Sequence, residues 1–161
     1  MTIEIKKMGA DTVKVKELNV NGVPYKVQFN PARIVSSGAK VDAKTIKERK
    51  CFLCPANLPA VQKGVPFKEH YNILVNPFPI FPRHLTVPEQ AHVDQRIATR
   101  MEDMLDLAQA LTDYVIFYNG PKCGASAPDH MHFQLVNKDY FPYAIETAMP
   151  GVVEKIVLRS S

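Results

Sequence analysis

The sequence predicts an α+β fold with an antiparallel sheet of about five strands, one long helix and an N-terminal β-hairpin. Two observations lead to this class. Short apolar or alternating segments recur along the chain and are separated by Gly, Pro and Asn, as in strands joined by turns. One segment alone, from about residue 89 to residue 114, has apolar residues at helical spacing. The 161 residues, of which 46% are hydrophobic, suit a single domain over residues 1–161.

The hairpin is predicted over residues 1–29 from two strands, 12–20 and 23–29. Asn21 and Gly22 lie between the strands, and this pair favours a tight two-residue turn. The two strands should therefore pair with each other.

The remaining elements are predicted from local patterns further along the chain. The strands are expected at 71–75, 84–87, 114–118, 130–136 and 152–158, and an exposed aromatic loop at 139–143. The core face of the helix is expected to carry Ile97, Met101, Met104, Leu105, Ala108 and Leu111. The methionines of this face are interpreted as core residues.

The basic residues are concentrated in the first fifty positions. These carry eleven Lys and Arg against five acids, a net +6, whereas the remainder carries nine against eleven, a net −2. A basic region suits a phosphorylated ligand, and Arg33 has the forked donors that clamp a phosphate, although a surface arginine explains it as well. Because the basic residues are scattered, with little aromatic interleaving, no nucleic-acid partner is expected.

No segment resembles a membrane span or a signal peptide. No run approaches eighteen apolar residues, and the first seven residues lack an apolar core. A cytoplasmic protein without a membrane partner is expected. The three cysteines fit a metal or redox pair better than a disulfide framework.

The polar residues that best suit chemistry lie near the end of the predicted sheet. His130, His132 and Gln134 alternate with apolar residues, so a strand would place the three on one face and the apolar residues in the core. Gly124 and Ser126 precede them and would let backbone N–H groups and a hydroxyl approach a phosphate. Two interpretations stay open from these residues: an imidazole nucleophile that attacks phosphorus, or a pair of metal ligands.

Cys51 and Cys54 form a Cys-X-X-Cys motif. Two thiolates at this spacing bind one tetrahedral Zn²⁺ if two further ligands come from elsewhere. His130 is a natural fourth ligand, with His84 or His92 as the third. A redox dithiol and a buried cysteine pair are the alternatives.

The order of six short motifs resembles that of the histidine triad superfamily over about residues 25–137. The His-X-His-X-Gln ending is similar to the transferase branch, which includes galactose-1-phosphate uridylyltransferase, dinucleoside tetraphosphate phosphorylase and GDP-galactose phosphorylase. Hydrolases of this superfamily usually carry a third histidine where this chain has Gln134. Each motif alone is weak, and the resemblance depends on their joint order. The motifs are Cys51 to Asn57, Asn76 after a strand, Pro82 to Thr86, Asn119-Gly120, Gly124 to Ser126 and His130 to Gln134.

The resemblance implies a nucleotidyltransferase or phosphorylase that acts on a nucleotide sugar or a dinucleoside polyphosphate. His132 matches the nucleophile that forms a covalent nucleotidyl-histidine, which phosphate or a sugar phosphate then attacks, and Gln134 matches the residue that holds the bound phosphate. Substrate-binding positions are matched by Asn76, Asn119, Gly124 and Ser126. The alternatives are a triad-type nucleotide hydrolase and a non-catalytic zinc- or nucleotide-binding module.

The resemblance also implies a structural zinc ion. Cys51, Cys54 and His130 match zinc ligands of the uridylyltransferase, and His92 is our assignment for the third ligand over His84. Four protein ligands would leave no position for water. Two departures from the family are expected to matter. One extra residue, in the Pro128-Asp129 pair, separates Ser126 from His130. The chain is also half as long as the uridylyltransferase, so it would form a homodimer, act alone or be part of a longer protein.

Overall fold

The computed structural model describes residues 13–33, 38 and 40–140. The strands in these ranges form one two-stranded and one five-stranded sheet, which confirms the predicted α+β class. In chain order the elements are β1 (Lys14–Val20), β2 (Val23–Phe29), α1 (Ala43–Glu48), β3 (Val65–Phe67), β4 (Tyr71–Val75), β5 (Leu85–Pro88), α2 (Met101–Ala110), β6 (Tyr114–Phe117) and β7 (His132–Asn137). Short 3-10 turns cover Pro31–Arg33, Pro55–Asn57 and Lys138–Tyr140.

β1 and β2 form the predicted hairpin. Asn21 and Gly22 have φ values of 53° and 84°, the left-handed conformations that a tight hairpin turn requires and that Asn and Gly tolerate best. The Gly22 N–H donates to Asn19 Oδ1 at 2.9 Å and closes the turn. All residues of both strands are exposed.

The five-stranded sheet has the order β3-β4-β5-β7-β6, and every neighbouring pair is antiparallel. β7 therefore lies between β5 and β6, inside the sheet. Its residues Phe133 and Leu135 are fully buried and pack with Met131, Val87 and the α2 residue Leu107. The apolar residues that alternate with the histidines thus form the core, as predicted.

The helix predicted over 89–114 is much shorter in the structure, where α2 spans Met101–Ala110. The Glu89 N–H donates to the Met131 carbonyl at 2.9 Å, and the Met131 N–H donates to the Val93 carbonyl at 2.8 Å. These backbone groups bond across to the segment before β7, so residues 89–93 cannot make helical bonds as well. Met101, Leu105 and Ala108 are exposed, and their assignment to the core face was wrong.

Several other boundaries differ from the predictions. β5 begins at Leu85 and β7 at His132, later than the predicted 84 and 130, and β3 and α1 were not predicted. Residue 12, residues 141–143 and the predicted strand 152–158 lie outside the described residues. Among the described residues, no helix has the length and apolar character needed to cross a bilayer.

Candidate active site and metal site

Polar residues of β5 and β7 lie side by side on the sheet face away from α2. Thr86 is opposite Gln134, and Pro88 is opposite His132. Directly opposite residues of an antiparallel pair share one face. His132, Gln134 and Thr86 therefore share a face, while the residues between them fill the core.

Gln95 bonds to the backbone of His132, and the carbonyl of His130 contacts its ring. Its backbone N–H donates to Gln95 Oε1 at 2.7 Å, and its carbonyl accepts from Gln95 Nε2 at 3.1 Å. Its ring Nδ1 lies 2.8 Å from the His130 carbonyl oxygen. Because a carbonyl only accepts, Nδ1 carries the proton and Nε2 carries the lone pair. Burial lowers the pKa of His132 and favours this neutral form.

The Nε2 atom of His132 has no hydrogen-bond partner among the described residues. Of the fully buried side-chain nitrogen and oxygen atoms in this part of the chain, Arg49 Nε alone lacks a partner. His132 itself is buried, with 4% of its surface exposed. A basic ring nitrogen that has no hydrogen-bond partner has a lone pair that could act as a nucleophile.

His84 fixes the orientation of the Gln134 side-chain amide. The Ile80 N–H donates to His84 Nδ1 at 3.1 Å, so His84 Nε2 carries the proton and donates to Gln134 Oε1 at 2.9 Å. The NH₂ group of Gln134 thus remains available as a donor. Burial lowers the pKa of His84 to about 4, which keeps the ring neutral. His84, the alternative zinc ligand of the sequence analysis, lies here instead.

The four residues assigned to zinc come together. Cys51, Cys54, His92 and His130 place one ligand atom each within 4.8 Å of the others. Nδ1 of His130 lies 3.3 Å from Cys51 Sγ, 3.6 Å from Cys54 Sγ and 3.3 Å from His92 Nδ1, and His92 Nδ1 lies 3.3 Å from Cys54 Sγ. Tetrahedral zinc bonds would separate S and N by about 3.6 Å and two N atoms by about 3.3 Å. The cluster therefore fits a tetrahedral cation.

Hydrogen bonds and burial act differently on His130 and on the two cysteine thiols of the cluster. His130 Nε2 donates to the Glu89 carbonyl at 2.7 Å, which leaves Nδ1 toward the cysteines. Burial opposes the thiolate form of Cys51, but hydrogen bonds from His130 and the Leu53 backbone outweigh it and lower its pKa. Burial and the neighbouring Cys51 sulfur raise the pKa of Cys54.

Two of the predicted substrate-binding residues connect directly to this sheet face. Asn76 Nδ2 donates to Thr86 Oγ1 at 2.8 Å, which places it beside the residue opposite Gln134. The Asn119 carbonyl accepts from Gln95 Nε2 at 2.9 Å, so Gln95 joins it to the backbone of His132. Both positions adjoin the two proposed catalytic residues.

The other three substrate-binding candidates lie outside the strands, Arg33 at the end of a 3-10 turn and Gly124 and Ser126 on a loop. Arg33 donates from NH1 to the Phe78 carbonyl at 3.3 Å, and its positive charge contributes to lowering the pKa of His84. Gly124 has a φ of 96° and is exposed, and Ser126 is half-buried. No hydrogen bond of the described residues joins Gly124 or Ser126 to the side chain of His132 or Gln134.

Gln95 and Arg49 were missed by the sequence analysis. Gln95 is fully buried and bonds both sides of the His132 backbone, but it lay in a segment interpreted as helix. Arg49 NH2 donates to Asp129 Oδ1 at 2.7 Å. The extra acid before His130 was a signal that a basic partner lies nearby, although the partner could not be identified from it.

Comparison with known proteins yields sequence and structural similarities. The chain is 26% identical over 146 residues to diadenosine 5',5'''-P1,P4-tetraphosphate phosphorylase 2 of Saccharomyces cerevisiae, covering 82% of this chain and 44% of that protein. It thus spans less than half the length of this curated relative. The crystal structure of yeast Ap4A phosphorylase Apa2 in complex with AMP matches with a TM-score of 0.48 and 25% identity over 77% of this chain and 40% of that chain. A histidine triad protein from Clostridium difficile matches with a TM-score of 0.41 and 16% identity over 60% of this chain and 99% of that chain.

The motifs predict a relationship to dinucleoside tetraphosphate phosphorylases, and the sequence match to one such protein confirms it. A family model described as "Domain of unknown function (DUF4922)" matches residues 4–137, which is most of the chain. The chain therefore belongs to the DUF4922 family.

Proposed function

We propose that this chain catalyses nucleotidyl transfer from a dinucleoside polyphosphate to phosphate through a covalent nucleotidyl-His132. The observation that carries the proposal is the ring of His132, whose Nδ1–H donates to the His130 carbonyl, so that the lone pair lies on Nε2 and has no hydrogen-bond partner among the described residues. The relative that is 26% identical is named as a diadenosine tetraphosphate phosphorylase, which supports this substrate class.

In the first step, the lone pair of His132 Nε2 attacks a phosphorus atom of the substrate. A P–N bond forms, the P–O bond to the leaving nucleotide breaks, and that nucleotide departs with the electron pair. The ring gains positive charge, which the bond from Nδ1–H to the His130 carbonyl stabilises. In the second step, a phosphate oxygen attacks the same phosphorus atom. The P–N bond breaks, neutral His132 returns, and the product is a nucleoside diphosphate.

Gln134 stabilises the charge that develops on the phosphate oxygens. Its NH₂ group is held ready by the bond from His84 to Oε1, so no reorientation is needed during the reaction. Asn76, Asn119, Gly124, Ser126 and Arg33 bind the substrate in this proposal. Donors arranged around transferred phosphate are the main requirement of this chemistry.

The cluster of Cys51, Cys54, His92 and His130 holds a structural Zn²⁺ in this proposal. Two thiolates and two imidazoles suit zinc, and they fill a four-coordinate shell, so the ion would stabilise the loops before β7 and take no part in phosphoryl transfer. Thiolate ligands need reduced cysteines, which agrees with a cytoplasmic location.

The covalent step is tested with a dinucleoside tetraphosphate labelled at the α-phosphorus. We expect acid-labile, base-stable label on the full chain, and none on His132→Ala. His70→Ala is the matched control, because His70 is half-buried and lies 3.7 Å from Asp103 on α2 instead of at the site. Equal labelling of His132→Ala and the wild type would disprove the covalent mechanism.

The acceptor is tested by identifying the products with and without phosphate. Nucleoside diphosphate formed only with phosphate supports phosphorolysis, whereas nucleoside monophosphate formed in both conditions indicates the hydrolase alternative. Nucleotide binding without label or product indicates a binding module.

A further inference from the structure

The carboxylate of Asp129 divides its two oxygens between different partners. Oδ1 pairs with Arg49 NH2 at 2.7 Å, and Oδ2 lies 3.9 Å from Nε2 of His92. The Asp129 side chain is only 16% exposed and that of Arg49 only 18%. A carboxylate this buried is normally paired, and the Asp129 carboxylate lies between the Arg49 guanidinium and the ring of His92, a candidate metal ligand.

Arg49 links Asp129 to the cysteine segment. It lies two residues before Cys51, and its guanidinium stacks on the ring of Phe52, 4.7 Å from the centroid. Its NH2 also lies 3.5 Å from the Ser126 carbonyl oxygen. Arg49 thus contacts two of the three segments that bring ligands to the cluster, those of Cys51 and His130, and it holds the Asp129 carboxylate between them.

We propose that Asp129, held by Arg49, is a positioning residue for the metal ligand His92. The His92 side chain is 49% exposed, whereas His130 is fully buried and bonded to the Glu89 carbonyl. When Nδ1 of His92 binds a cation, Nε2 carries the proton and faces the Asp129 carboxylate, whose Oδ2 lies 3.9 Å away. A carboxylate on that side of the ring attracts the N–H electrostatically, and such outer partners orient metal-bound imidazoles and raise their basicity.

The charges of this arrangement also balance. A divalent cation, two thiolates and two neutral imidazoles sum to zero, and the Asp129–Arg49 pair sums to zero as well. Asp129 without Arg49 would place an unpaired negative charge beside the thiolates. The basic partner therefore explains how an acid is accommodated in the loop directly before His130.

The test is the Zn²⁺ affinity of the full chain, measured by competition with a chromophoric chelator. We expect Asp129→Asn to bind Zn²⁺ roughly 10- to 100-fold more weakly than the wild type. Asp94→Asn is the matched control, because Asp94 is 73% exposed and pairs with Arg96 on the surface. Asp129→Glu, which keeps the carboxylate, should recover part of the loss.

A double-mutant cycle separates positioning from a general structural role. If Asp129 acts through His92, the pair His92→Ala and Asp129→Asn together should bind Zn²⁺ no more weakly than His92→Ala alone. Losses that add, an Asp129→Asn affinity equal to that of Asp94→Asn, or a wild type that binds no Zn²⁺ would each overturn the proposal. None of these outcomes depends on turnover.

A second measurement covers the case in which Asp129→Asn does not fold. Long-range ¹H–¹⁵N correlation of the Zn²⁺-loaded wild type reports which ring nitrogen of His92 carries the proton. We expect a slowly exchanging proton on Nε2. A proton on Nδ1, or exchange as fast as that of the ring of His70, which lies outside the cluster, would overturn the proposal.

Discussion

His130 and His132 are two residues apart and use opposite ring nitrogens. His130 donates from Nε2 to the Glu89 carbonyl at 2.7 Å and turns Nδ1 to the cysteines. His132 donates from Nδ1 to the His130 carbonyl at 2.8 Å and leaves Nε2 unpaired. The backbone carbonyl that each ring meets therefore decides which of its two nitrogens is left for other contacts. Under the proposed function, this short segment has a metal end at His130 and a nucleophile end at His132.

The pKa values of the two rings shift in opposite directions because their hydrogen-bond partners differ. Burial lowers the pKa of both, but at His130 the hydrogen bonds to Cys51 and to the Glu89 backbone outweigh it and raise the pKa. His132 begins β7, whereas His130 lies in the preceding turn, where its N–H bonds the Ala127 carbonyl at 3.3 Å. The start of the strand between the two residues lets them serve different sites.

The largest expected effect is that substitution of His132 abolishes turnover, whereas substitution of His130 removes the metal. His132→Ala should lower turnover roughly 10⁴-fold or more, because the nucleophile is lost, and should keep full zinc content. His130→Ala should lose the metal. Steady-state kinetics and elemental analysis of both variants check this. Loss of zinc from His132→Ala, or full zinc in His130→Ala, would contradict the division.

The metal end is expected to dominate stability. Cys51→Ser should lose zinc and lower the free energy of unfolding by several kcal/mol, because binding energy at such a site stabilises the folded state. Cys123→Ser is the control, since Cys123 is exposed and outside the cluster. Denaturant unfolding with and without a chelator measures both. Equal stability and equal zinc in the two variants would show that the cluster binds no metal.

Gln95 is expected to support the nucleophile end alone. Gln95→Ala leaves the His132 N–H and the carbonyls of His132 and Asn119 without their partner, which should cost about 3 kcal/mol of stability or more, at roughly 1 to 3 kcal/mol for each of the three groups. Denaturant unfolding measures the loss. Gln90→Ala, at an exposed position, should cost almost nothing. If Gln95→Ala and Gln90→Ala have the same unfolding free energy, water molecules replace the hydrogen bonds that these backbone groups lose.

Features that depend on local chemistry were predictable from the sequence. The Asn21-Gly22 turn requires only two residues that tolerate positive φ, and the core face of β7 follows from alternation. The cysteine spacing, together with the family resemblance, indicated the ligands that the structure brings together.

Features that depend on distant backbone partners were not predictable. The helical spacing before Met101 is real, but the Glu89 N–H donates to the Met131 carbonyl and the Met131 N–H donates to the Val93 carbonyl. These bonds to a distant segment keep residues 89–93 out of the helix. Gln95 lies in the same segment, so its role as an inward-facing amide had no local signal. Tertiary hydrogen bonding prevailed over local periodicity here.

The smallest expected effect concerns His84, which supports the nucleophile end through Gln134. The unfolded chain protonates this residue below pH about 6.5, whereas its folded pKa is about 4, so falling pH favours the unfolded state across that window. From pH 7 to pH 5 the residue should cost about 2 kcal/mol of stability, at about 1.4 kcal/mol per pKa unit. His84→Gln, which does not titrate, should therefore show a flatter dependence of unfolding free energy on pH than the wild type. Zinc release at low pH affects both proteins and cancels in the difference. Identical slopes would mean that His84 is protonated in the folded protein, and then it could not hold Gln134 through a neutral ring.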